Sequence, residues 1–180
     1  HFVNITGSST QNPCEVGSYQ PTTGSSYCIT ASVGHYVSIT GSFSQSSCAV
    51  GTYQPYTGYS SCFDTEPGFY VATTGATSQD ECAKGTFQPN YGEPDCILSN
   101  PGNYVNTNRS SAEYPCAVGT YQPDSGRESC LIAEPGYFVN ITGSTEQTPA
   151  EPGSYTFQNG STSPLTCGLG SYQPNFASTD

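Results

Sequence analysis

The sequence has no tryptophan and no methionine, only three Lys and Arg together, and leucine at just Leu98, Leu131, Leu165 and Leu169 in 180 residues. With 33% hydrophobic residues it lacks the material for a conventional core, and long helices are excluded. Binding to a nucleic-acid backbone rests on clustered Lys and Arg, which are missing; the net charge of −11 likewise disfavours an anionic membrane surface. No apolar run approaches the roughly 20 residues of a membrane helix, so no membrane insertion is expected. The opening HFVNITGSST does not read as a signal peptide.

A chain this polar risks disorder, because little apolar burial offsets about 1–2 kcal/mol of backbone entropy per residue. Nine Cys, 14 Tyr and 8 Phe argue against that, as does a charged fraction of only 9%. The combination points to small cross-linked modules in an oxidising compartment, extracellular or on the cell surface.

Internal periodicity organises the chain. Glycine recurs every 17 residues, at Gly17, Gly34, Gly51, Gly68, Gly85, Gly102, Gly119, Gly136, Gly153 and Gly170. An aromatic follows each by two, from Tyr19 and Tyr36 to Tyr155 and Tyr172. A second glycine follows the first by seven, with Arg109 and Ala177 interrupting that series. Two kinds of module alternate, giving a 34-residue unit: C-x-x-G-[ST]-[YF]-Q-P, as in Cys48 to Pro55, and P-G-x-[YF]-V, as in Pro67 to Val71. The alternation slips at Glu151-Pro152-Gly153, yet the 17-residue beat continues. The single module is therefore expected to be the structural step, with the pair a decoration upon it.

Each module is expected to form a short hairpin. G-T-Y-Q-P supplies extended residues closed by a proline that cannot donate to a ladder, and the second glycine supplies the positive φ of a turn. Residues such as Tyr59 to Phe63 are expected to return as the second strand. Strands of about four or five residues are unstable alone, so each module should stack its aromatic on the next. The expected fold is all-β: an elongated rod of tandem 17-residue hairpin-like modules, laddered by local disulfides, without a globular core. It is expected to run as one continuous array over residues 1–180. HFVNITG at the start aligns with HYVSITG at His35, and both ends cut through the pattern without a capping repeat, which suggests an excerpt of a longer array.

The cysteines are separated by 14 and 20 residues alternately as far as the slip. Pairing across the longer step would strand Cys14 and require Cys130 to reach Cys167 over more than two modules, against the local geometry a disulfide needs. The short loops are therefore expected: Cys14–Cys28, Cys48–Cys62, Cys82–Cys96 and Cys116–Cys130, with Cys167 awaiting a partner beyond the chain end. Zinc is not expected, since no C-x-x-C pair occurs, and no catalytic Cys is expected with His1 and His35 the only imidazoles.

The pattern C-x-x-G-[ST]-[YF], a glycine, a second Cys 14 residues after the first, then P-G-x-[YF], resembles the ephrin-receptor-like cysteine-rich repeat. That family is related to modules of tumour-necrosis-factor receptors and growth-factor receptors. Its members typically carry C-x-x-C-P-x-G at each junction, where this sequence keeps half the usual cysteines. The resemblance implies a disulfide-laddered extracellular rod, and the family's bridge maps onto Cys14–Cys28 and its equivalents.

N-glycosylation sequons occur at Asn4, Asn108, Asn140 and Asn159, in or beside the expected turns. Covalent glycans are thus expected, with no cofactor and no metal: the acidic residues are scattered, and no D-x-D-x-D-G loop is present. A repeating rod offers no pocket for an enzyme. The leading expectation is an extracellular structural repeat protein of a glycosylated cell-surface filament or stalk, whose partner is itself. The alternative is a receptor or adhesin ectodomain binding a protein or glycan, with Arg109 in the variable stretch Asn103 to Tyr114 as the place where symmetry breaks. Ice or mineral binding would use the Thr series Thr6, Thr23, Thr40, Thr57, Thr74 and Thr142.

Overall fold

A computed structural model of the chain describes residues 12–180. Among them there are no helices, only two-residue strands paired as antiparallel hairpins, one hairpin in each module from Gly17 to Gly153, while the Gly170 module has no paired strands. The chain folds into two compact units: one runs up to Glu81 and adds Gln88–Cys96, the other comprises Cys82–Phe87 and Ile97–Asp180. Each unit repeats the same local construction.

In the Gly17 module, Ser18–Tyr19 pairs with Ile29–Thr30, Ser18 facing Thr30 and Tyr19 facing Ile29. The glycine bends the chain into the strand at φ 78°, and its carbonyl accepts the N–H of Ala31 at 2.8 Å to close the hairpin. The strands are two residues long, where four or five were expected, because the flanking donors turn to the next module. The N–H of Gly17 donates to Val37 and that of Gln20 to Ser42, at 2.8 and 3.0 Å, while the N–H of Gly41 donates back to Cys14 at 2.7 Å. The set recurs one module on with Gly34 to Gln54, Val37 to Tyr59 and Gly58 to Ala31. In the second unit Gly119 to Val139, Gln122 to Ser144 and Gly143 to Cys116 repeat it again. Backbone pairing that no isolated hairpin could complete is thus satisfied by its neighbour, as the physics of stacked repeats requires. The second strand of the Gly51 module is accordingly Phe63–Asp64, displaced from Tyr59 to Phe63, since Tyr59 offers its carbonyl to Val37.

The buried layer lies at two positions that flank the aromatic. Three residues before each module glycine from Gly17 to Gly153 stands a small side chain at 0% exposure: Cys14, Ala31, Cys48, Thr65, Cys82, Ser99, Cys116, Ala133 and Ala150. Three residues after the glycine, from Gln20 to Val139, stands Gln or Val in alternation, all buried, and Thr156 takes the place in the Gly153 module. The aromatics from Tyr19 to Tyr155 are half-buried, and Tyr172 is exposed. Ring pairs such as Tyr53 with Phe63, 6.0 Å apart, and Tyr104 with Tyr114, 6.2 Å apart, join facing strands of one hairpin, where stacking onto the next module was expected. The reason is register: the rings sit on directly opposed residues, the closest neighbours a hairpin offers.

Within each unit a module also packs against the module two steps on. A Cβ on Gly17 would overlap the carbonyl oxygen of Gly58, and the same holds for Gly34 with Gly75 and Gly51 with Gly92. In the second unit the equivalents are Gly85 with Gly126, Gly102 with Gly143, Gly119 with Gly160 and Gly136 with Ala177. Alternate modules therefore form two interleaved stacks. In the first unit, the Gly17 and Gly51 modules belong to a first stack and the Gly34 and Gly68 modules to a second. In the second unit the first stack holds the Gly85, Gly119 and Gly153 modules, and the second stack the Gly102, Gly136 and Gly170 modules. The 34-residue alternation in the sequence is the separation of these stacks, which makes the pairing more than decoration.

Candidate functional site

The chemistry of the two stacks differs at one pair of positions. In the first stack the small buried residue is Cys and its bond partner lies 14 residues on: Cys14–Cys28, Cys48–Cys62 and Cys116–Cys130, each with Cα atoms 5.8 Å apart. Cys82 and Cys96 are disulfide-bonded as well. In the second stack the position of the second Cys is taken by Gln or Glu, whose side chain reaches back across the hairpin. Gln45 Oε1 accepts the N–H of Ser32 at 2.8 Å, Gln79 that of Glu66 at 2.9 Å, and Gln147 that of Glu134 at 2.8 Å. Glu113 accepts both the N–H of Asn100 at 2.6 Å and its side-chain amide at 2.9 Å. A hydrogen bond thus closes in one stack the loop that a covalent bond closes in the other. The signal was present in the sequence, as Gln45, Gln79, Glu113 and Gln147 share the phase of Cys28, Cys62, Cys96 and Cys130.

The glutamine of Tyr-Gln-Pro is a second device that motif reading passed over. Gln54, at 0% exposure, donates from Nε2 to the carbonyl of Ser61 at 2.8 Å and accepts the N–H of Tyr56 on Oε1 at 3.0 Å. Gln20, Gln88 and Gln122 bond their own turns in the same way. Each satisfies two backbone groups in the wide turn spanned by a disulfide, where an apolar side chain would leave both orphaned. The second stack puts Val37, Val71, Val105 and Val139 there, and only after the slip does it carry a glutamine, Gln173, which bonds its turn in the same way.

At the slip, the Gly153 module stacks on the Gly119 module, so it occupies the first stack although it carries Ala150 and Pro164 at the two cysteine positions. The Gly170 module, with Cys167, falls into the second stack against Gly136. Beyond the slip the cysteine chemistry has changed stacks. Cys167 is a free, half-buried thiol.

Of the sequons, Asn108 and Asn159 are exposed on turns and Asn140 is exposed beside one, whereas Asn4 lies outside the described residues, as does His1. His35 sits on a strand with Nδ1 3.0 Å from the carbonyl oxygen of Val33. Arg109 takes φ 60° and its N–H donates to Cys82 at 2.8 Å, the bond the second glycine makes elsewhere, so the symmetry break leaves the backbone path unchanged. In the first unit the Thr series divides between the stacks: Thr23 and Thr57 lie in one and Thr40 and Thr74 in the other. Among the described residues, no three His, Cys, Asp or Glu side chains converge to hold a metal ion, and no helix is long and apolar enough to cross a membrane.

No curated protein matches the chain. The family model described as tyrosine-protein kinase ephrin type A/B receptor-like matches residues 2–48, a segment containing the Cys14–Cys28 bridge and the first cysteine of the next one. The bonded cysteine pairs that recur along the chain fit a cysteine-rich repeat array of that kind.

Proposed function

We propose that this chain is part of an extracellular structural array: a glycosylated stalk or filament of the cell surface, built by repetition and associating with itself. The observation that carries the reading is the module-to-module step. The same backbone donors meet the same acceptors in both units, including across the cysteine slip, where Gly136 donates to Thr156 and Gly153 to Gln173. A chain that preserves its step while its side chains vary is suited to bearing load and setting distance. Local disulfides support an oxidising, extracellular location, and exposed Asn108, Asn140 and Asn159 support a coat of N-linked sugars. Imaging the native assembled material, combined with glycopeptide mass spectrometry, tests this. Repeating fibres with sugar at these asparagines are the expected result; isolated particles bearing unmodified asparagines overturn it.

A second reading, a receptor or adhesin ectodomain, is favoured by the receptor-like family match over residues 2–48. Native particles that remain single and capture a protein or glycan through one module select this reading.

A further inference from the structure

The second strand of each hairpin turns two residues outward, 12 and 13 places after the module glycine. In the first stack of the second unit these are Ile97–Leu98, Leu131–Ile132 and Leu165–Thr166. The five aliphatic side chains are 45% to 60% exposed, and none of the six positions is charged. The levels are continuous: Leu98 lies over Gly126 and Ile132 over Gly160, each on the module two steps further on. In the second stack of the same unit the equivalent residues are Tyr114–Pro115 and Thr148–Pro149; in the first unit they are Ile29–Thr30 and Phe63–Asp64 in the first stack and Ser46–Ser47 and Asp80–Glu81 in the second, so the uncharged aliphatic row is confined to the second unit.

Within the second unit the aliphatic character follows the stack and not the module's own chemistry. The Gly153 module has neither cysteine and opens with Pro-Gly like a second-stack module, yet it carries Leu165 in line with Leu131 and Ile97. A requirement of the disulfide hairpin alone would have ended at the slip.

We infer that the row Ile97, Leu98, Leu131, Ile132 and Leu165 is the face on which two copies of this chain pair side by side. This rests on the filament reading and supplies its lateral bond. Charge singles out this occupant. Two chains of net charge −11 repel over most of their surface, but here they meet without a formal charge on the row. The cations flanking it are already matched, Lys84 to Glu128 at 3.8 Å and Arg127 to Asp124 at 2.7 Å. Period singles it out too, since only a partner with the same axial repeat meets the row at every level, and a second copy has that repeat by construction. Sugars leave the row open: Asn108 and Asn140 are on the second stack. Asn159 shares a hollow with Leu165 and so marks the end of the row.

The test is sedimentation of the folded chain carrying Cys167→Ser, which removes the free thiol. Dimers are expected, strengthened by salt as repulsion between the acidic chains is screened. Leu131→Asp with Ile132→Asp should weaken association roughly 100-fold, as loss of central interface anchors does. Thr148→Asp, on the equivalent strand of the second stack, should leave it unchanged. Leu131→Cys in the same background should give a cross-linked dimer on mild oxidation. A monomer at every concentration and salt, or equal damage from Thr148→Asp, overturns the inference. Filaments in native material that persist with Leu131→Asp and Ile132→Asp refute this interface alone. Dimers that depend on the row, found with native material free of fibres, refute the filament reading and leave the interface standing.

Discussion

Gly51 and Gly58 lie in one hairpin, both at positive φ, 78° and 79°, and differ in what surrounds them. Around Gly58 a Cβ would meet nothing within 4 Å. A Cβ on Gly51 would overlap the carbonyl oxygen of Gly92 and stand 2.6 Å from its carbonyl carbon. Both obstacles are backbone, and both segments are tethered: Gly51 donates to Val71 at 2.8 Å and Gly92 to Thr65 at 3.0 Å. Gly58→Ala should therefore cost only the left-handed conformation of an L-residue, about 1–2 kcal/mol. Arg109 and Ala177, at φ 60° and 53° in the equivalent position, show that the cost is tolerable. Gly51→Ala pays the same and must also part the two modules. That sacrifices about two hydrogen bonds at roughly 1 kcal/mol each, together with contact around them, for a total of about 3–5 kcal/mol. The difference of about 2–3 kcal/mol corresponds to roughly 30- to 150-fold faster exchange of the amides of Gly51 and Gly92. Native-state hydrogen exchange of the two variants measures it, because a repeat array opens locally and a single melting midpoint would blur the effect. Equal exchange in Gly51→Ala and Gly58→Ala would refute the claim that close approach between alternate modules, beyond turn conformation, fixes the module glycine.

Ala31→Cys with Gln45→Cys places the first stack's bridge in the second stack. It should form a disulfide, lose two hydrogens by mass and stabilise its hairpin by about 3 kcal/mol, whereas two extra reactive thiols in the folded protein would show that the hydrogen-bonded loop is not equivalent to the bonded one. Gln54→Ala leaves the carbonyl of Ser61 and the N–H of Tyr56 without their partner and opens a void, so denaturant unfolding should show a loss of about 2–4 kcal/mol. Gln54→Val should recover the packing but not the hydrogen bonds; if it were as stable as the parent, the polar clamp would be unnecessary. Removing one bridge with Cys48→Ala and Cys62→Ala should destabilise the Gly51 hairpin and its immediate neighbours by about 3 kcal/mol. Exchange in the Gly136 hairpin should stay at the parent rate, and uniform acceleration along the chain would contradict nearest-neighbour stacking.

Much of this architecture was legible in spacing alone. A glycine every 17 residues marks a backbone conformation that other residues enter at a cost, and cysteines 14 apart mark ends of the chain held close, because both constraints are local. Hairpins, their number and their bonded loops follow from those local rules. Strand length did not, since the donors that would have extended each strand are claimed by the next module, and a one-dimensional pattern does not say where a donor points. Nor did spacing reveal that Gly51 is held by Gly92. That fact depends on how many modules complete a level of stacking, and that is decided by packing between segments 41 residues apart. The row from Ile97 to Leu165 became a surface only when alternate modules were laid on one another. The repeat belongs to the chain; the laying of alternate modules on one another in two stacks, and the aliphatic row this makes in the second unit, belong to the fold.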